Sequence, residues 1–344
     1  SEARTGHWMN QLGGASTDVG GNLTVDNKGY VYTASAIFST AFFKPYSPKK
    51  IEFIKTTSAT SSNLVITKVD VVGNLIWSRQ FGENIVPITI VCDNHNNFIV
   101  TGSYYNTVDF DPGVGVFNLT AKAASDIFIL KLDENGNFLW AGSIGGRNSE
   151  QPYSIVTDPY DNIALICEFR DTIDVDMSSG IYNLIPTSSI ERAVLKLDSN
   201  GKFLWAHHLK DINPNALSFD SSGNLYSTGY FLGTKDFDFG PGTFNMTTTG
   251  AATSGDCYAM KEDTAGKFIW AKSFGEFINR DYADCIAIDK SENVLIAGRC
   301  GGGNSDFDPG SGVANLVGHN AFILKLDKSG NYIWAKGING GTFP

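Results

Sequence analysis

Apolar and polar residues alternate along this chain in short runs that recur at a fixed spacing and end at turn signals. The segments LVITKVDVVGNLIW, IFILKLDENGNFLW, RAVLKLDSNGKFLW, CYAMKEDTAGKFIW and AFILKLDKSGNYIW share one design. Each is an alternating run, a five-residue turn and a second run that closes on Trp77, Trp140, Trp205, Trp270 or Trp334. Period-two alternation predicts strands with one face turned inward. Asp70, Asp133, Asp198, Asp263 and Asp327 open the turns, and Gly73, Gly136, Gly201, Gly266 and Gly330 stand three residues later. A short Asp side chain accepts backbone N–H bonds in such a turn, and Gly takes the position of positive φ. The pattern is a β-hairpin written five times.

A second hairpin precedes the first in every unit: LTVDNKGYVYTAS, TIVCDNHNNFIVTGS, SIVTDPYDNIALICE, LSFDSSGNLYSTGY and IAIDKSENVLIAGR. Its turn opens on Asp26, Asp93, Asp158, Asp220 or Asp289, and the fourth position is Gly29, Asn96, Asp161, Gly223 or Glu292. Asn and Asp tolerate the left-handed region there, and Glu292 does so at some cost. Each unit therefore carries four short strands rich in β-branched and aromatic residues, and no apolar stripe of helical period and length is present. Including Trp8, the six tryptophans are separated by 69, 63, 65, 65 and 64 residues. A repeat of that length is one supersecondary unit used again and again. Four strands in about 65 residues is the make-up of a β-propeller blade. An all-β solenoid is the alternative, but its coils are usually shorter and lack paired tight hairpins.

The expectation is an all-β fold: one β-propeller domain spanning residues 1–344, built of four-stranded antiparallel blades. The repeats fall at about 15–82, 83–146, 147–211, 212–275 and 276–341. Residues 6–14, GHWMNQLGG, form an extra Trp strand that copies YIWAKGINGG near the end. Five blades fit the five complete sets, and a partial or larger ring of six to seven is the alternative.

These units resemble the bacterial β-propeller repeats often called SBBP, whose pattern runs roughly D-x-x-G-N-v-Y-v-T-G, then D-F, then D-a-F-v-x-K-l-D-x-x-G. The match is clearest at Asp220–Phe237, DSSGNLYSTGYFLGTKDF, and at Asp126–Ala141, DIFILKLDENGNFLWA, and covers nearly the whole chain. The D-F-D-P-G version at Asp109–Gly113 and Asp306–Gly310 looks like one common in secreted proteins of Bacteroidota. The first unit departs most, with FFKPYSPKKIEF in its middle and no acidic pair. The resemblance implies the fold and a secreted or cell-surface setting. It implies no defined reaction, and the family's usual seven blades exceed what this chain supplies.

Charge and composition narrow the function classes. A formal net charge of −10 argues against nucleic acid as partner, because phosphate contacts need a basic stripe. No apolar run approaches the 18 or so residues of a membrane-spanning helix. No signal peptide is visible, and Ser1 begins close to the first repeat strand, as in a mature or trimmed form. The five cysteines, Cys92, Cys167, Cys257, Cys285 and Cys300, stand where other units carry small or apolar residues and read as buried small hydrophobes. Cys285 and Cys300 share a hairpin and pair only if their registers face.

Candidate chemistry centres on paired carboxylates two residues apart: Asp109/Asp111, Asp174/Asp176, Asp236/Asp238 and Asp306/Asp308. On an extended strand both would face one cation, and an oxygen-rich site with a Gly bend suits calcium. The competing reading is acid that blunts an exposed edge. Tyr104, Tyr105, Phe169, Tyr230 and Phe231 recur after the second strand, either as interblade packing or as platforms for stacking glycans. Lys44, Lys49, Lys50 and Lys55 cluster in the enlarged middle of the first unit, as a basic projection for a protein partner or as a solvated loop. Glu168 is an unusual acid within a strand, read as a functional acid or as a solvent-facing residue. His207 and His208 are adjacent, so a strand turns them to opposite sides. No nucleophile elbow, zinc-protease, P-loop or dinucleotide motif occurs.

The functional expectation is a non-catalytic secreted or cell-surface propeller that binds or assembles proteins, with calcium as a possible ion. A carbohydrate-binding lectin-like propeller is the alternative. A glycoside hydrolase, whose carboxylates would be unique to single blades, is a more distant one.

Overall fold

The computed structural model describes residues 10–14, 18–38, 40–44, 52–54, 62–249, 255–275, 281–300 and 304–338. Among the described residues every regular element is a β-strand. Five four-stranded antiparallel sheets, of the β-propeller blade type, run in simple sequence order. The first contains Val19–Val25, Val31–Ile37, Asn63–Val69 and Leu75–Glu83, and the second Ile85–Cys92, Phe98–Tyr104, Asp126–Leu132 and Phe138–Ile144. The third contains Gln151–Thr157, Ile163–Phe169, Glu191–Leu197 and Phe203–Leu209, and the fourth Ile212–Phe219, Leu225–Phe231, Asp256–Glu262 and Phe268–Phe274. The fifth contains Tyr282–Ile288, Val294–Arg299, Ala321–Leu326 and Tyr332–Ile338. The strand that carries the Trp is an edge strand in each of these five sheets.

The turn chemistry follows the sequence closely. Asn96, Asp161 and Glu292 have φ of 61°, 63° and 62°, and Gly29 and Gly223 hold the same place at 84° and 81°. In the second turn Gly73, Gly136, Gly201, Gly266 and Gly330 lie between 77° and 85°. Each turn Asp grips its own loop: Oδ1 of Asp93 accepts the N–H groups of His95 and Asn97, both at 2.9 Å. Asp133 does the same for Asn135 and Asn137 at 2.8 and 2.9 Å, and Asn137 Nδ2 donates to its Oδ2.

In four repeats the Lys of the K-x-D segment completes the first turn. Lys131 Nζ lies 2.9 Å from Asp93 Oδ2, Lys196 3.0 Å from Asp158, Lys261 3.0 Å from Asp220 and Lys325 2.8 Å from Asp289. The same ammonium reaches the second turn of the following repeat, where Lys131 donates to Ser199 O at 3.1 Å. The tryptophans act in parallel: Nε1 of Trp77, Trp140 and Trp270 donates to the carbonyls of Glu134, Ser199 and Lys328 at 3.2–3.3 Å. A Cβ on Gly136, Gly201 or Gly330 would press on the ring of Trp77, Trp140 or Trp270, so Gly at the turn serves both the φ and the close approach.

Two compact units divide the chain. One holds Ser1–Thr157, Phe169–Ile185 and Asp198–Phe203, and the other Asp158–Glu168, Pro186–Leu197 and Leu204–Pro344. In the first, Tyr32, Leu64 and Ile66 of repeat 1 pack with Phe98, Val100, Phe128 and Leu130 of repeat 2, so the core lies between sheets. In the second, Tyr226 and Ala259 pack likewise with Val294, Ile296, Phe322 and Leu324. Each buried aromatic of this kind contributes on the order of 2–3 kcal/mol by burial.

Four two-stranded hairpins accompany the sheets: Thr107–Asp109 with Asn118–Thr120, Ile173–Asp174 with Asn183–Leu184, Thr234–Asp236 with Asn245–Thr247, and Asn304–Asp306 with Asn315–Val317. Repeat 1 differs. Its counterpart Ala41–Lys44 and Glu52–Ile54 gains a third strand, Gln11–Gly14. The segment expected as an extra Trp strand thus joins a small hairpin, with Gly13 opposite Phe42, while Trp8 itself lies outside the described residues. The register has a reason. Five residues after Trp140, Gly145 bridges Asp174, and five after Trp270, Gly275 N–H donates to Asp306 O at 2.6 Å. Gly13 stands five residues after Trp8, so the same crossing is made three times.

None of the five cysteines forms a disulfide. Cys167, Cys257 and Cys300 are buried as expected, whereas Cys285 is exposed and lies opposite Ala297, so the hairpin register does not face it to Cys300.

Two predictions follow from the turns. The side chains of Lys131 and Asp93 are 5% and 0% exposed, against 22% and 27% for Lys325 and Asp289. Removing one partner of a buried pair strands a charge, so Lys131→Met is expected to cost about 3–5 kcal/mol in denaturant unfolding. Lys325→Met is expected to cost far less, and equal losses would show that burial does not set the value of the pair. Acid should act through the turn carboxylates. Burial raises Asp133, but the N–H donors of Asn137 and Asn135 outweigh it and hold the group below its ordinary 3.8. Asp70, Asp220 and Asp327 are lowered in the same manner. Groups so depressed contribute stability above the unfolded value, and it is lost as pH falls through the folded values. The thermal midpoint should therefore drop steeply below about pH 4, and Asp133→Asn should flatten that slope.

Candidate functional site

Each Asp pair stands at the neck of a small hairpin. The strand ends at the first Asp in all four, so the second lies in the turn and the two do not share an extended strand. Asp109 Oδ1 accepts the N–H groups of Asp111 and Phe117 at 3.0 and 2.8 Å, and Asp111 Oδ1 accepts Gly113 N–H at 2.8 Å. Asp174, Asp236 and Asp306 repeat the first arrangement with Asp176 and Tyr182, Asp238 and Phe244, and Asp308 and Ala314. Asp176, Asp238 and Asp308 repeat the second with Ser178, Gly240 and Gly310. One oxygen of every acid in the motif thus organises its own loop. The aromatic that follows then stacks on the first ring of F-x-W: Phe117 on Phe138, Tyr182 on Phe203 and Phe244 on Phe268, at 4.7–4.9 Å.

The aromatic platforms divide by burial. Tyr104, Phe169 and Phe231 have no exposed surface, and Tyr104 and Phe231 meet Phe110 and Phe237 edge-on at 5.4 and 5.2 Å. These three are packing residues and offer no face to a sugar, because alternation turns the first ring of the pair inward. Tyr105 is 41% exposed, and Tyr230 is half-buried against Tyr282 at 5.1 Å. Lys49, Lys50 and Lys55 lie outside the described residues, and Lys44 ends the strand Ala41–Lys44. Glu168, expected to face solvent, is buried 3.7 Å from Arg192. His207 and His208 do turn to opposite sides. His207 Nε2 is 3.2 Å from Glu262 and His208 Nε2 contacts Glu191.

The least satisfied chemistry lies where the chain crosses from repeat 2 to repeat 3. Asp126 opens the third strand of repeat 2, and Glu150 stands one residue before the first strand of repeat 3. Both are 0% exposed. Backbone bonds fix their places: Glu150 N–H donates to Ser125 O at 3.0 Å, and Ser103 Oγ to Glu150 O at 3.1 Å. Asp126 Oδ2 accepts Lys122 N–H at 3.1 Å and Ser143 Oγ at 3.3 Å, and Glu150 Oε2 accepts Gly146 N–H at 3.1 Å. Asp126 Oδ1 and Glu150 Oε1 are buried with no hydrogen-bond partner. Lys122 sends its ammonium to Gly145 O at 3.1 Å. Burial pushes Glu150 up to about 7 against the Gly146 N–H bond, and the charges of Asp126 and Asp171 push the same way. Burial likewise raises Asp126. A cleft lined by Lys122, Arg147, Asp171, Asp174 and the Gly145–Gly146 backbone lies nearby, and neither acid is part of its lining. The sequence pattern singles out neither Glu150 nor Asp126. The signal available was positional, since Asn63, Asp126, Glu191 and Asp256 open the third strand in four repeats.

No protein-family model matches the chain. An uncharacterized WD repeat-containing protein of Acanthamoeba polyphaga mimivirus is 26% identical over 234 residues, or 60% of this chain. The chain spans 17% of the length of that relative. Among solved structures, the Dos1 propeller aligns over 83% of this chain and 76% of its own, at 10% identity and a TM-score of 0.37. A gluconolactonase of Xanthomonas campestris aligns over 86% of this chain and 88% of its own, at 11% identity and a TM-score of 0.31.

The hairpin geometry sets a test for the Asp pairs. Asp109→Ala leaves two backbone N–H groups without their acceptor and is expected to cost about 1 kcal/mol or somewhat more. Asp111→Ala, which frees one exposed N–H, is expected to cost less. If backbone capping is the whole role of Asp109, the loss is the same in EDTA and in millimolar calcium chloride. A loss seen only with calcium would make the pair a ligand set.

Proposed function

We propose that this chain is a non-catalytic β-propeller module of the SBBP type, secreted or displayed at the cell surface, that binds a protein partner through the outer edges of its sheets. One observation carries the reading. The residue before each repeat Trp is aliphatic and faces out: Ile76, Leu139, Leu204, Ile269 and Ile333 are 44–46% exposed. Each lies on the outer strand of its sheet, where one row of backbone N–H and C=O groups has no neighbouring strand. Soluble proteins usually blunt such edges with charge, proline or bulges. An apolar residue kept at one register in five repeats, next to free main-chain groups, suits a partner that adds an extended segment or lays apolar side chains on the edge.

The extracytoplasmic setting rests on the family resemblance. Exposed, free Cys285 runs against an oxidising compartment, where unpaired surface thiols are uncommon. The alternatives fit the geometry less well. Two rings in different repeats, Tyr105 and Tyr230, remain for glycan stacking, short of a repeated platform. A glycosidase must bring its carboxyl groups against the sugar, and Asp126 and Glu150 have no exposed surface to do so.

The test is a photo-crosslinking residue in place of Leu139 or Leu204, in the cells that make the protein. A single discrete protein adduct is expected at both positions and none from the exposed turn position Asn200. Labelling that is equal at all three positions, or absent from the aliphatic row, would overturn the proposal.

A further inference from the structure

We propose that the segment taken at the outer edges of repeats 4 and 5 is acidic: an extended polypeptide in which carboxylates alternate with apolar side chains. The inference rests on the edge reading above and names the chemistry of what binds there. Lysines gather on these two edges. Residues 263–274, the second turn and outer strand of repeat 4, hold Lys267 and Lys272, and residues 327–338 of repeat 5 hold Lys328 and Lys336. Asp263 and Asp327 are the acids in the same two stretches. Each turns Oδ1 into its own turn, where it accepts two N–H groups at 2.8–2.9 Å. In a chain of net charge −10 this is a local excess of cation. Lys328 Nζ stands 4.0 Å from Glu292, and the Lys272 charge helps hold Asp327 below its ordinary value. Lys267 and Lys336 are exposed and have no ion-pair partner among the described residues.

The two edges are continuous. Trp270 Nε1 donates to Lys328 O at 3.2 Å, and a Cβ on Gly330 would stand 3.0 Å from Lys272 Cγ. The outer strand of repeat 4 therefore runs beside the second turn of repeat 5. Ile269, Ile333 and Ile338 are 44–49% exposed among these lysines. Lys272 and Lys336 each stand two residues after the repeat Trp, so both edges offer a cation at one register. The fold does not require this charge, as the first two repeats show. Repeat 2 has no cation from Asp133 to Ile144, and its Glu134 is paired with Lys28 at 2.6 Å. On the outer strand of repeat 1, Arg79 donates to the carbonyls of Gly136, Asn135 and Ser78, so its guanidinium is held by the neighbouring turn.

Lysine on an edge strand commonly works against strand addition. It repels another lysine-bearing edge and does not oppose a strand of the opposite sign. Opposite charges directly across a strand pair stabilise it, and like charges destabilise it. These edges therefore reject a second copy of themselves and admit an acidic strand, the repulsive and attractive halves of one specificity. The aliphatic row and the main-chain groups of the edge favour a polypeptide over an anionic polysaccharide, which has no backbone amides to continue the ladder.

The experiment is an anisotropy titration of the full chain against two short labelled peptides, one alternating Val with Glu and the other Val with Lys. A few cross-strand charge pairs suffice for about a tenfold difference, so the Glu peptide is expected to bind about tenfold more tightly at low salt. That advantage should vanish in molar sodium chloride. Lys267→Glu, Lys272→Glu and Lys336→Glu combined should reverse the preference, with the thermal midpoint showing that the variant folds. Lys290→Glu, in the exposed first turn of repeat 5, should leave the preference intact. Equal affinities for the two peptides, binding of neither, or a preference that survives the combined reversal or molar salt would overturn the proposal. Heparin bound more tightly than the Glu peptide, and no less tightly after Ile269→Ser and Ile333→Ser, would also overturn it by giving the lysines to a polysaccharide. Should the proposal fall in any of these ways, a discrete cellular adduct at Leu139 and Leu204 would still uphold the edge reading, and absence of that adduct would remove both.

Discussion

Everything regular in this protein depends on one contact between successive repeats: a tryptophan ring laid against the glycine turn of the next. The indole N–H of Trp77, Trp140 and Trp270 reaches a turn carbonyl 57–59 residues on, and the glycine beneath the ring has no Cβ to hold it off. A single sheet of four short strands cannot bury both faces alone. The ring–turn contact fixes how far the next sheet is offset, and Tyr32 and Phe98, 4.9 Å apart, then meet in the core between them. The Lys of K-L-D adds a polar clamp at the same point. Lys131 bonds Asp93 in its own repeat and Ser199 O in the next, so each turn is tied to its neighbour by a ring and an ammonium.

Repeat 3 shows what happens when one part of that contact changes. Trp205 Nε1 is buried without a partner, and His207 Nε2, two residues on, lies 2.9 Å from Gly266 O. The His207 ring lies tilted against Trp205, 4.6 Å between centroids. His207 thus holds the place of Arg79, whose Nε donates to Gly136 O at 3.3 Å, while Thr264 O, the counterpart of the carbonyls that accept the other indoles, accepts Lys196 Nζ at 3.3 Å. Glu262 then accounts for the other side of His207. Burial raises Glu262 and the histidine opposes that rise, while hydrogen bonding to Glu262 outweighs burial and raises His207.

How much of this was legible in the sequence follows from how far apart the interacting residues lie. The turns were legible to the residue, Glu292 included, because Asp and its N–H partners are two and four residues apart and positive φ is a local demand. Which aromatic of Tyr104–Tyr105 faces inward was not assigned, although alternation guarantees that one of them must. The Asp pairs look like strand residues only if alternation continues past Asp109, where the strand ends as Asp109 caps Asp111. Asp126 and Glu150 were beyond reach. They are 24 residues apart, and their meeting depends on a crossing that brings the start of one third strand beside the approach to the next first strand.

That crossing also explains why chemistry concentrates there. The ring–turn contact, the lysine clamp and the Asp-capped turns leave little freedom within a sheet, since most of the polar groups they use already have an assigned bond. The residue that opens the third strand has no such assignment. Asn63, Asp126, Glu191, Asp256 and Ala321 fill it in the five repeats, and each solves its burial differently. Asn63 uses a carbonyl, Glu191 a histidine and a threonine, and Asp256 the N–H and hydroxyl of Thr249. A repeat scaffold can change such a position without disturbing the contacts that set the spacing of its sheets. Asp126 has only part of its demand met by its own repeat, and its carboxylate lies against the bare backbone of Gly145. The seams between repeats therefore admit change, while the sheets themselves supply the frame.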